Sequence, residues 1–174
     1  VIILGAGPAG STAALALQKS NLKVAMLEKE FFPRDKICGD ALACVVERVL
    51  RQIDPTLEQE LLQYSEKTVV EKALVYSPEF RSVVLNFSKR GHCIKRLDFD
   101  NWLFEKANAK NIKVFQKSKV VDVRIGTKGA EVELQDGSVL HAAVVIACDG
   151  AHSIAAKKLT NLKMDRKHYI GAVR

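Results

Sequence analysis

Two long apolar runs, one at the start of the chain and one near its end, predict strands of a parallel sheet. The runs Val1–Leu4 and Ala142–Cys148 lack a polar face, which is typical of parallel strands that are covered on both sides. Between them, Ser11–Lys19 carries helix-forming residues, and Lys23–Glu28 is predicted as a second short strand. Together, the opening segments predict a βαβ unit with a right-handed crossover.

The middle of the chain shows short strand-like segments with turn residues between them. Thr68–Tyr76, Ser82–Phe87 and His92–Lys95 are separated by Ser77-Pro78 and Arg90-Gly91. Strands joined by such short turns pair antiparallel, so we expect a separate sheet that is inserted into the first fold.

Apolar spacing predicts three further helices. The first covers Ala41–Ile53 and stops at Asp54-Pro55, and the second lies around Leu57–Leu62. The third is capped by Asp98 and reaches about Ala109.

From Ile112 onward the pattern returns to strands, and its last apolar run should lie at the centre of the parallel sheet. The predicted strands are Ile112–Phe115, Lys119–Ile125, Ala130–Leu134 and Val139–Cys148. The fold class predicted from these patterns is α/β: a Rossmann-like, doubly wound domain with an inserted antiparallel β-sheet.

Composition is ordinary for a globular domain, with 174 residues of which 48% are hydrophobic and 27% charged. No apolar run approaches the roughly 20 residues of a membrane-spanning helix, and we expect neither such a helix nor a secretory signal. The net charge of +7 leaves three interpretations open: a solvated lysine-rich surface, attraction of anionic phosphates, or weak attraction to acidic membranes. The basic residues are spread along the chain, so we expect no nucleic-acid partner.

Neither the cysteines nor the histidines are spaced for a metal site, so we expect no metal. The residues concerned are Cys38, Cys44, Cys93, Cys148, His92, His141, His152 and His168. Reduced thiols are the default for such a chain, and we expect a cytoplasmic location with peripheral membrane contact left open.

The clearest chemical signal is a glycine-rich turn between the first strand and the first helix. Gly5, Gly7 and Gly10 stand in GAGPAG, with Pro8 and Ala9 between the last two. The first glycine permits a tight turn, the second lets a diphosphate approach the backbone, and the third lets helix and strand pack closely. Pro8 suits the helix start because its missing N–H would have no partner there. The helix N-terminus then favours bound phosphate.

Two acids stand where a dinucleotide site would use them. Glu28 lies 18 residues after Gly10, which suits a carboxylate that accepts hydrogen bonds from a ribose diol and disfavours a 2′-phosphate. Its alternative is a solvent-facing side chain on an ordinary turn. Asp149 follows the last apolar run at its carboxyl end, where ligands bind in open α/β sheets. Its alternative is a helix N-cap, a role that Ser153 also fits.

Four stretches resemble, in order, motifs of the FAD-dependent glutathione-reductase superfamily. VIILGAGPAGSTAA, with LEK after the second strand, is similar to its FAD-binding start. FPRDKICGD at Phe32–Asp40 resembles the PRxKxCG motif of the geranylgeranyl reductase-like flavoproteins. IKRLDFDNWLFEKA at Ile94–Ala107 is similar to the R-x-x-F/L-D-x-x-L helix of aromatic hydroxylases, and VVIACDGAHS at Val144–Ser153 resembles their Asp-Gly motif.

The resemblance implies FAD as the cofactor and places the dinucleotide half of the site. The turn from Gly5 to Gly10 would cradle the pyrophosphate, and Glu28, followed by Lys29, would hold the adenosine ribose. The strand at Val120 and Val121 would pass the adenine.

The same resemblance implies roles near the flavin. Arg34 and Lys36 would lie near the cofactor, and Arg96 would reach its pyrophosphate or ribityl region. Asp149 would accept hydrogen bonds from the ribityl chain, with Gly150 allowing close approach. The residues that would approach the flavin side are Cys38, Gly39 and Asp40. Cys38 is the candidate catalytic residue, and its alternative is a small packing residue.

By resemblance, reduced flavin would deliver a hydride to a carbon–carbon double bond in a hydrophobic, isoprenoid-like substrate, with NAD(P)H or another reductant as electron donor. Two alternatives stay open: a flavin monooxygenase or halogenase of the same superfamily, and a non-catalytic dinucleotide-binding module. We assign residues 1–67 and 96–162 to the FAD-binding domain, 68–95 to inserted strands of a substrate domain, and 163–174 to its continuation. Val1 falls inside a strand, so we expect the chain to be part of a longer enzyme.

Overall fold

The computed structural model describes residues 1–108, 112–161 and 167. In chain order its elements are β1 (Ile2–Leu4), α1 (Pro8–Leu17), β2 (Ala25–Leu27), β3 (Ala41–Leu42), α2 (Val45–Ile53), α3 (Pro55–Gln63), β4 (Thr68–Tyr76), β5 (Ser82–Cys93), α4 (Arg96–Asn108), β6 (Lys113–Phe115), β7 (Val120–Gly126), β8 (Gly129–Leu134), β9 (Val139–Ala142), β10 (Val145–Ala147) and α5 (Ile154–Leu159). Among the described residues, one compact unit takes Val1–Lys36 and the chain from Leu97 onward, and the other takes Ile37–Arg96.

The first unit contains a parallel sheet with the strand order β10-β1-β2-β6. Its opening β1–α1–β2 segment is the predicted βαβ unit, and the side chains of β1 are buried throughout. A second, antiparallel sheet has the order β7-β8-β9. Val123 and Val132 from that sheet share one buried cluster with Ile2 and Leu4 of β1. The predicted α/β fold class, with parallel and antiparallel sheets, is confirmed.

The prediction of one strand over Val139–Cys148 was wrong. Val139 to Ala142 pair antiparallel with β8, whereas Val145 to Ala147 pair parallel with β1. β10 therefore lies at the edge of the four described strands and not at their centre. The apolar run is continuous because its first part belongs to one sheet and its last part to another. Hydrophobicity alone does not show where the chain passes from one sheet to the next.

The second unit contains a three-stranded antiparallel sheet, β3-β5-β4, together with helices α2 and α3. The predicted turn at Arg90-Gly91 was wrong, since β5 runs without interruption from Ser82 to Cys93. A side chain on Gly91 would come within 2.9 Å of the Leu42 carbonyl oxygen, so this glycine marks a close approach of two backbones. The ladder between β4 and β5 shifts register between Val70 and Lys72.

Two predicted helix starts also differ from the structure. Ala41 and Leu42 pair with Cys93 and His92 as β3, so the helix expected from Ala41 begins only at Val45. α4 begins at Arg96, which places Asp98 inside its first turn and not at its cap. An acid in the first turn still suits the helix dipole.

The domain boundaries predicted from the sequence, with inserted strands from residue 68, stay predictions. The second compact unit starts at Ile37. The reason is the pairing of β3 with β5, which ties the chain before α2 to the inserted sheet. Residues 163–174, apart from 167, lie outside the described residues, and so does the predicted continuation of the substrate domain. Within the described ranges, no helix is both long and apolar enough to cross a membrane.

Candidate dinucleotide-binding site

The turn after β1 has a backbone that requires glycine. Gly5 has φ +87°, and a Cβ there would lie 2.6 Å from the Cys148 carbonyl oxygen. Its amide donates to the Leu27 carbonyl at 2.7 Å, which fixes the turn to the end of β2. The chain can therefore turn sharply at the carboxyl ends of the parallel strands, between two neighbours.

Helix α1 starts directly on this turn. A Cβ on Gly10 would lie 1.8 Å from the Gly5 carbonyl oxygen, so no larger residue fits without moving the backbone. The buried Ser11 hydroxyl donates to the Ala6 carbonyl at 2.9 Å and holds helix and turn together. Gly7 is the N-cap and supplies no side-chain cap, while Pro8 is the first helical residue. The positive end of the helix is thus kept available for an anion.

Glu28 points back toward the glycine turn. Its side chain is buried, with Oε2 accepting from the Ala6 amide at 2.8 Å and Oε1 accepting from the Glu30 amide at 2.9 Å. The solvent-facing alternative is therefore wrong. Each carboxylate oxygen has a second lone pair, so these bonds leave acceptor capacity for a sugar hydroxyl. The ribose contact stays a prediction, and Lys29 beside it is exposed.

Arg34 lies against the second glycine of the turn. A Cβ on Gly7 would lie 3.2 Å from Arg34 Nη2. Arg34 Nη1 contacts Oδ2 of Asp100 at 3.3 Å, and the guanidinium carbon lies 4.9 Å from the centre of the Phe32 ring. Asp100 stands at the aspartate of the R-x-x-F/L-D-x-x-L motif, but the sequence analysis assigned it no role. The available signal was a carboxylate on α4 among the apolar residues Phe99 and Leu103.

Asp149 lies beside the first glycine, since its Cα would be 3.3 Å from a Cβ on Gly5. Its Oδ2 accepts from the Ile154 amide at 2.6 Å and the Ala155 amide at 3.3 Å. Ser153 is the N-cap of α5 and accepts from the Ala156 amide. The contact of Asp149 with the start of α5 is thus present, and its contact with a ribityl hydroxyl stays a prediction.

Gly150, next in the chain, has φ +78° and open space where a Cβ would stand. The first unit therefore brings the glycine turn, Glu28, Arg34 and the Asp149–Gly150 pair to one end of its parallel sheet.

Two other residues of this unit, Lys36 and Val121, were also predicted to contact the cofactor. Lys36 is exposed, and its amide donates to Oδ1 of Asp35 at 2.8 Å. Val121 lies at the start of β7, where the ladder with β8 shifts register between Val120 and Asp122. Their cofactor contacts stay predictions.

The second unit holds the remaining predicted residues as a cluster of its own. The Asp40 carbonyl accepts from the Ile94 amide at 2.9 Å, and Asp40 Oδ1 accepts from the Arg96 amide at 3.2 Å. A hydrogen bond from the Arg96 side chain, helped by the Asp40 backbone, holds the pKa of Cys38 below its usual range. A lowered pKa and partial exposure are features of reactive thiols. Gly39, between them, has open space around its Cβ position.

A cavity of about 590 Å³ also lies in the second unit, and sequence reasoning did not anticipate it. Its lining residues are Cys44, Glu47, Arg48, Arg51, Leu62, Lys67, Val69, Lys89, Arg90 and His92. The buried His92 contacts Oε1 of Glu47 through Nε2 at 2.6 Å. In the part of the chain that the structure describes, no group of three or more His, Cys, Asp and Glu side chains could hold a metal ion.

Residues 1–172 match the protein family described as FAD binding domain, and that range includes the whole of the site above. The chain belongs to the FAD binding domain family. The site fits the diphosphate of FAD, which is the predicted cofactor. The features that fit it are the glycine turn at Gly5 and Gly10, the open N-terminus of α1 and the adjacent Arg34 guanidinium.

Relatives within this FAD-binding family include enzymes of different types. The chain is 28% identical to menaquinone reductase of Mycolicibacterium smegmatis, covering 91% of this chain and 39% of that protein. It is 29% identical to 1H-pyrrole-2-carbonyl-[peptidyl-carrier protein] chlorinase of Pseudomonas fluorescens, covering 91% of this chain and 41% of that protein.

A solved structure shares the fold. The crystal structure of PqsL, a probable FAD-dependent monooxygenase from Pseudomonas aeruginosa, superposes with a TM-score of 0.77 at 21% identity, covering 97% of this chain and 47% of that one. The chain thus spans less than half the length of each of these three proteins.

Proposed function

We propose that this chain is the FAD-binding part of a reductase that saturates a carbon–carbon double bond in a hydrophobic, isoprenoid-like substrate. The observation that carries the proposal is the Cys38 site, where the stretch Phe32–Asp40 resembles the geranylgeranyl reductase-like flavoproteins and where Arg96 polarises the thiol. The similarity to menaquinone reductase over 91% of the chain supports a reductase.

In this proposal the residues of the first unit bind and orient the cofactor. The amides of α1 and the Arg34 guanidinium bind the diphosphate, Glu28 binds the adenosine ribose, and Asp149 orients the ribityl chain. When bound and reduced by NAD(P)H or another reductant, FAD would supply hydride chemistry that amino-acid side chains lack, and the residues above would hold and orient it.

Saturation of a double bond also consumes a proton at the second carbon. Among the predicted site residues, Cys38 is the candidate proton donor, because its thiol has a lowered pKa and is partly exposed. Its protonated form exists below that pKa, so this step should be lost as the pH rises through it. A Cys38→Ser variant should slow turnover and remove that pH dependence while FAD stays bound.

The test uses the protein at its full natural length, reduced without oxygen and mixed with geranylgeraniol. Flavin absorbance near ~450 nm should return while the alcohol gains two hydrogens for each flavin oxidised. Phytanol, which has the same carbon skeleton without double bonds, is the matched control and should leave the flavin reduced. Reoxidation that is equal with both alcohols contradicts the proposal.

The second candidate is a flavin-dependent halogenase or monooxygenase, and the chlorinase relative favours it. The discriminating measurement is oxygen uptake in the presence of NADH, chloride and a phenol or pyrrole. Oxygen uptake coupled to a chlorinated or hydroxylated product, with no saturation of geranylgeraniol, supports this candidate over the reductase. A protein that purifies colourless, resists FAD reconstitution and binds NAD contradicts both.

A further inference from the structure

A carboxylate lies wholly inside the first unit, on α4. Asp100 has no exposed side-chain area, and its neighbours Phe99, Leu103 and Phe104 on the same helix are buried as well. A buried carboxylate is costly unless it is paired and hydrogen-bonded. The Arg34 guanidinium provides a cationic partner, with Nη1 at 3.3 Å from Oδ2.

The guanidinium is held from a second direction by an aromatic stack. Its central carbon lies 4.9 Å from the centre of the Phe32 ring, within the range of a cation–π contact. Phe32 in turn stacks on Phe104 of α4, with ring centres 4.3 Å apart and planes 10° from parallel. The Arg34 side chain is only 17% exposed, so α4 fixes it through both its charge and its ring.

The other amino nitrogen of Arg34 faces the glycine turn. Nη2 would be 3.2 Å from a Cβ on Gly7, and Gly7 is the N-cap of α1. One nitrogen is thus anchored by a buried acid, while the other lies beside the positive end of a helix. An oxyanion at this position would receive a charge-assisted hydrogen bond together with the field of the helix.

We infer that Asp100 is a positioning residue for the cofactor diphosphate: it acts through Arg34, whose Nη2 it holds at the glycine turn. The inference rests on the cofactor contacts of the proposed function, in which Arg34 binds the diphosphate. A purely structural Asp100 would only join α4 to the segment that carries Phe32.

A double-mutant cycle separates these two roles. Asp100→Asn keeps the size of the side chain and removes its charge, and Arg34→Gln removes the diphosphate contact. The affinity for ADP is measured by calorimetry on apoprotein of full natural length. Asp100→Asn should weaken ADP binding about tenfold when Arg34 is present and less than about twofold in the Arg34→Gln background, because coupled residues are non-additive.

Adenosine, which lacks phosphate, is the control ligand, and its affinity should be unchanged by Asp100→Asn. An equal loss of ADP affinity in both backgrounds, or a parallel loss of adenosine affinity, would overturn the inference. Should Asp100→Asn fail to fold, Phe32→Leu gives a second test. It removes the ring beneath the guanidinium and should weaken ADP binding only when Arg34 is present, and an equal loss in both backgrounds overturns the inference.

The ADP measurement needs no turnover, so it separates this inference from the proposed reaction. An intact coupling in a protein that saturates no double bond contradicts the reaction alone. Additive effects in a protein that does reduce geranylgeraniol contradict only the positioning role.

Discussion

The two compact units of this chain use their apolar side chains in different ways. In the first unit, all three residues of β1 are buried, and Val132 of β8 is fully covered. In the second unit, β4 and β5 are exposed along most of their length, with Val84 53% exposed. The first unit encloses its own core and can fix the positions of site residues, whereas the described residues of the second leave apolar strand faces open.

The difference extends to the chemistry of the two units. The first unit holds main-chain amides, a guanidinium and acids at the ends of parallel strands. These groups suit the binding of a dinucleotide. The second holds Cys38, and a hydrogen bond from Arg96 lowers the pKa of its thiol. A lowered pKa is a feature of reactive thiols. The first unit therefore carries the glycine turn and the acids that are predicted to bind the cofactor, and the second carries Cys38, the candidate catalytic residue.

The largest effect should come from Gly10→Ala in the first unit. Gly39→Ala in the second unit is the matched control. Gly10→Ala places a Cβ 1.8 Å from a backbone oxygen, so the turn and α1 must separate and FAD binding should be lost. Gly39→Ala adds the same methyl group to the second unit, where no atom lies within 4 Å, and the protein should stay folded. Retained flavin is read from absorbance after purification. Full FAD occupancy in Gly10→Ala would contradict the site geometry.

A smaller effect is expected from Glu28→Gln, which keeps the shape of the side chain. The amide group of glutamine must face one of the two backbone donors, Ala6 or Glu30, so a hydrogen bond to a charged acceptor is lost. The expected cost is about 1.5–3 kcal/mol in the free energy of unfolding. Thermal unfolding of the apoprotein measures it, with the exposed Glu30→Gln as control, which should change the midpoint little.

The same substitution in the two sheets tests the contrast in burial directly. Val132→Thr places a hydroxyl in the core of the first unit and should cost about 1–3 kcal/mol. Val84→Thr alters an exposed position of β5 and should stay within about 0.5 kcal/mol. Equal costs in the protein at its full natural length would show that further structure covers β5.

The smallest effect concerns two cysteines whose pKa values move in opposite directions. The Arg96 hydrogen bond lowers the pKa of Cys38, whereas burial, with the Asp149 charge, raises that of Cys148. Because the thiolate is the nucleophile, alkylation of Cys38 should begin at lower pH than that of Cys148. Mass spectrometry after iodoacetamide pulses from pH 6 to pH 10 (an ordinary range about the thiol pKa) measures both. Arg96→Gln should move the Cys38 profile to higher pH and leave the Cys148 profile unchanged.

The sequence predicted the site best where local backbone chemistry decides the structure. The turn at Gly5 and Gly10 and the cap at Ser153 depend on neighbours within a few residues, and such patterns are visible in a single chain. Asp100 could not be assigned to Arg34, because the two lie 66 residues apart and only the packing of α4 brings them together.

The same reasoning explains the errors in the predicted strands. Gly91 resembles a turn residue locally, and only its approach to Leu42 shows that it belongs inside a strand. The division between β9 and β10 depends on which strands are available as partners, and the hydrophobic pattern does not encode that choice.

The division of one apolar run between two sheets has a consequence for changes of chain length. Ala143 and Val144 are the only residues between β9, which is registered against β8, and β10, which is registered against β1. One inserted residue would either rotate Val145–Ala147 onto the opposite face or displace Asp149 from Gly5 by one strand residue, about 3.3 Å. The length of this two-residue linker therefore fixes the position of Asp149 relative to Gly5. A one-residue insertion here should disrupt the fold or the site, whereas a hairpin tip would tolerate it.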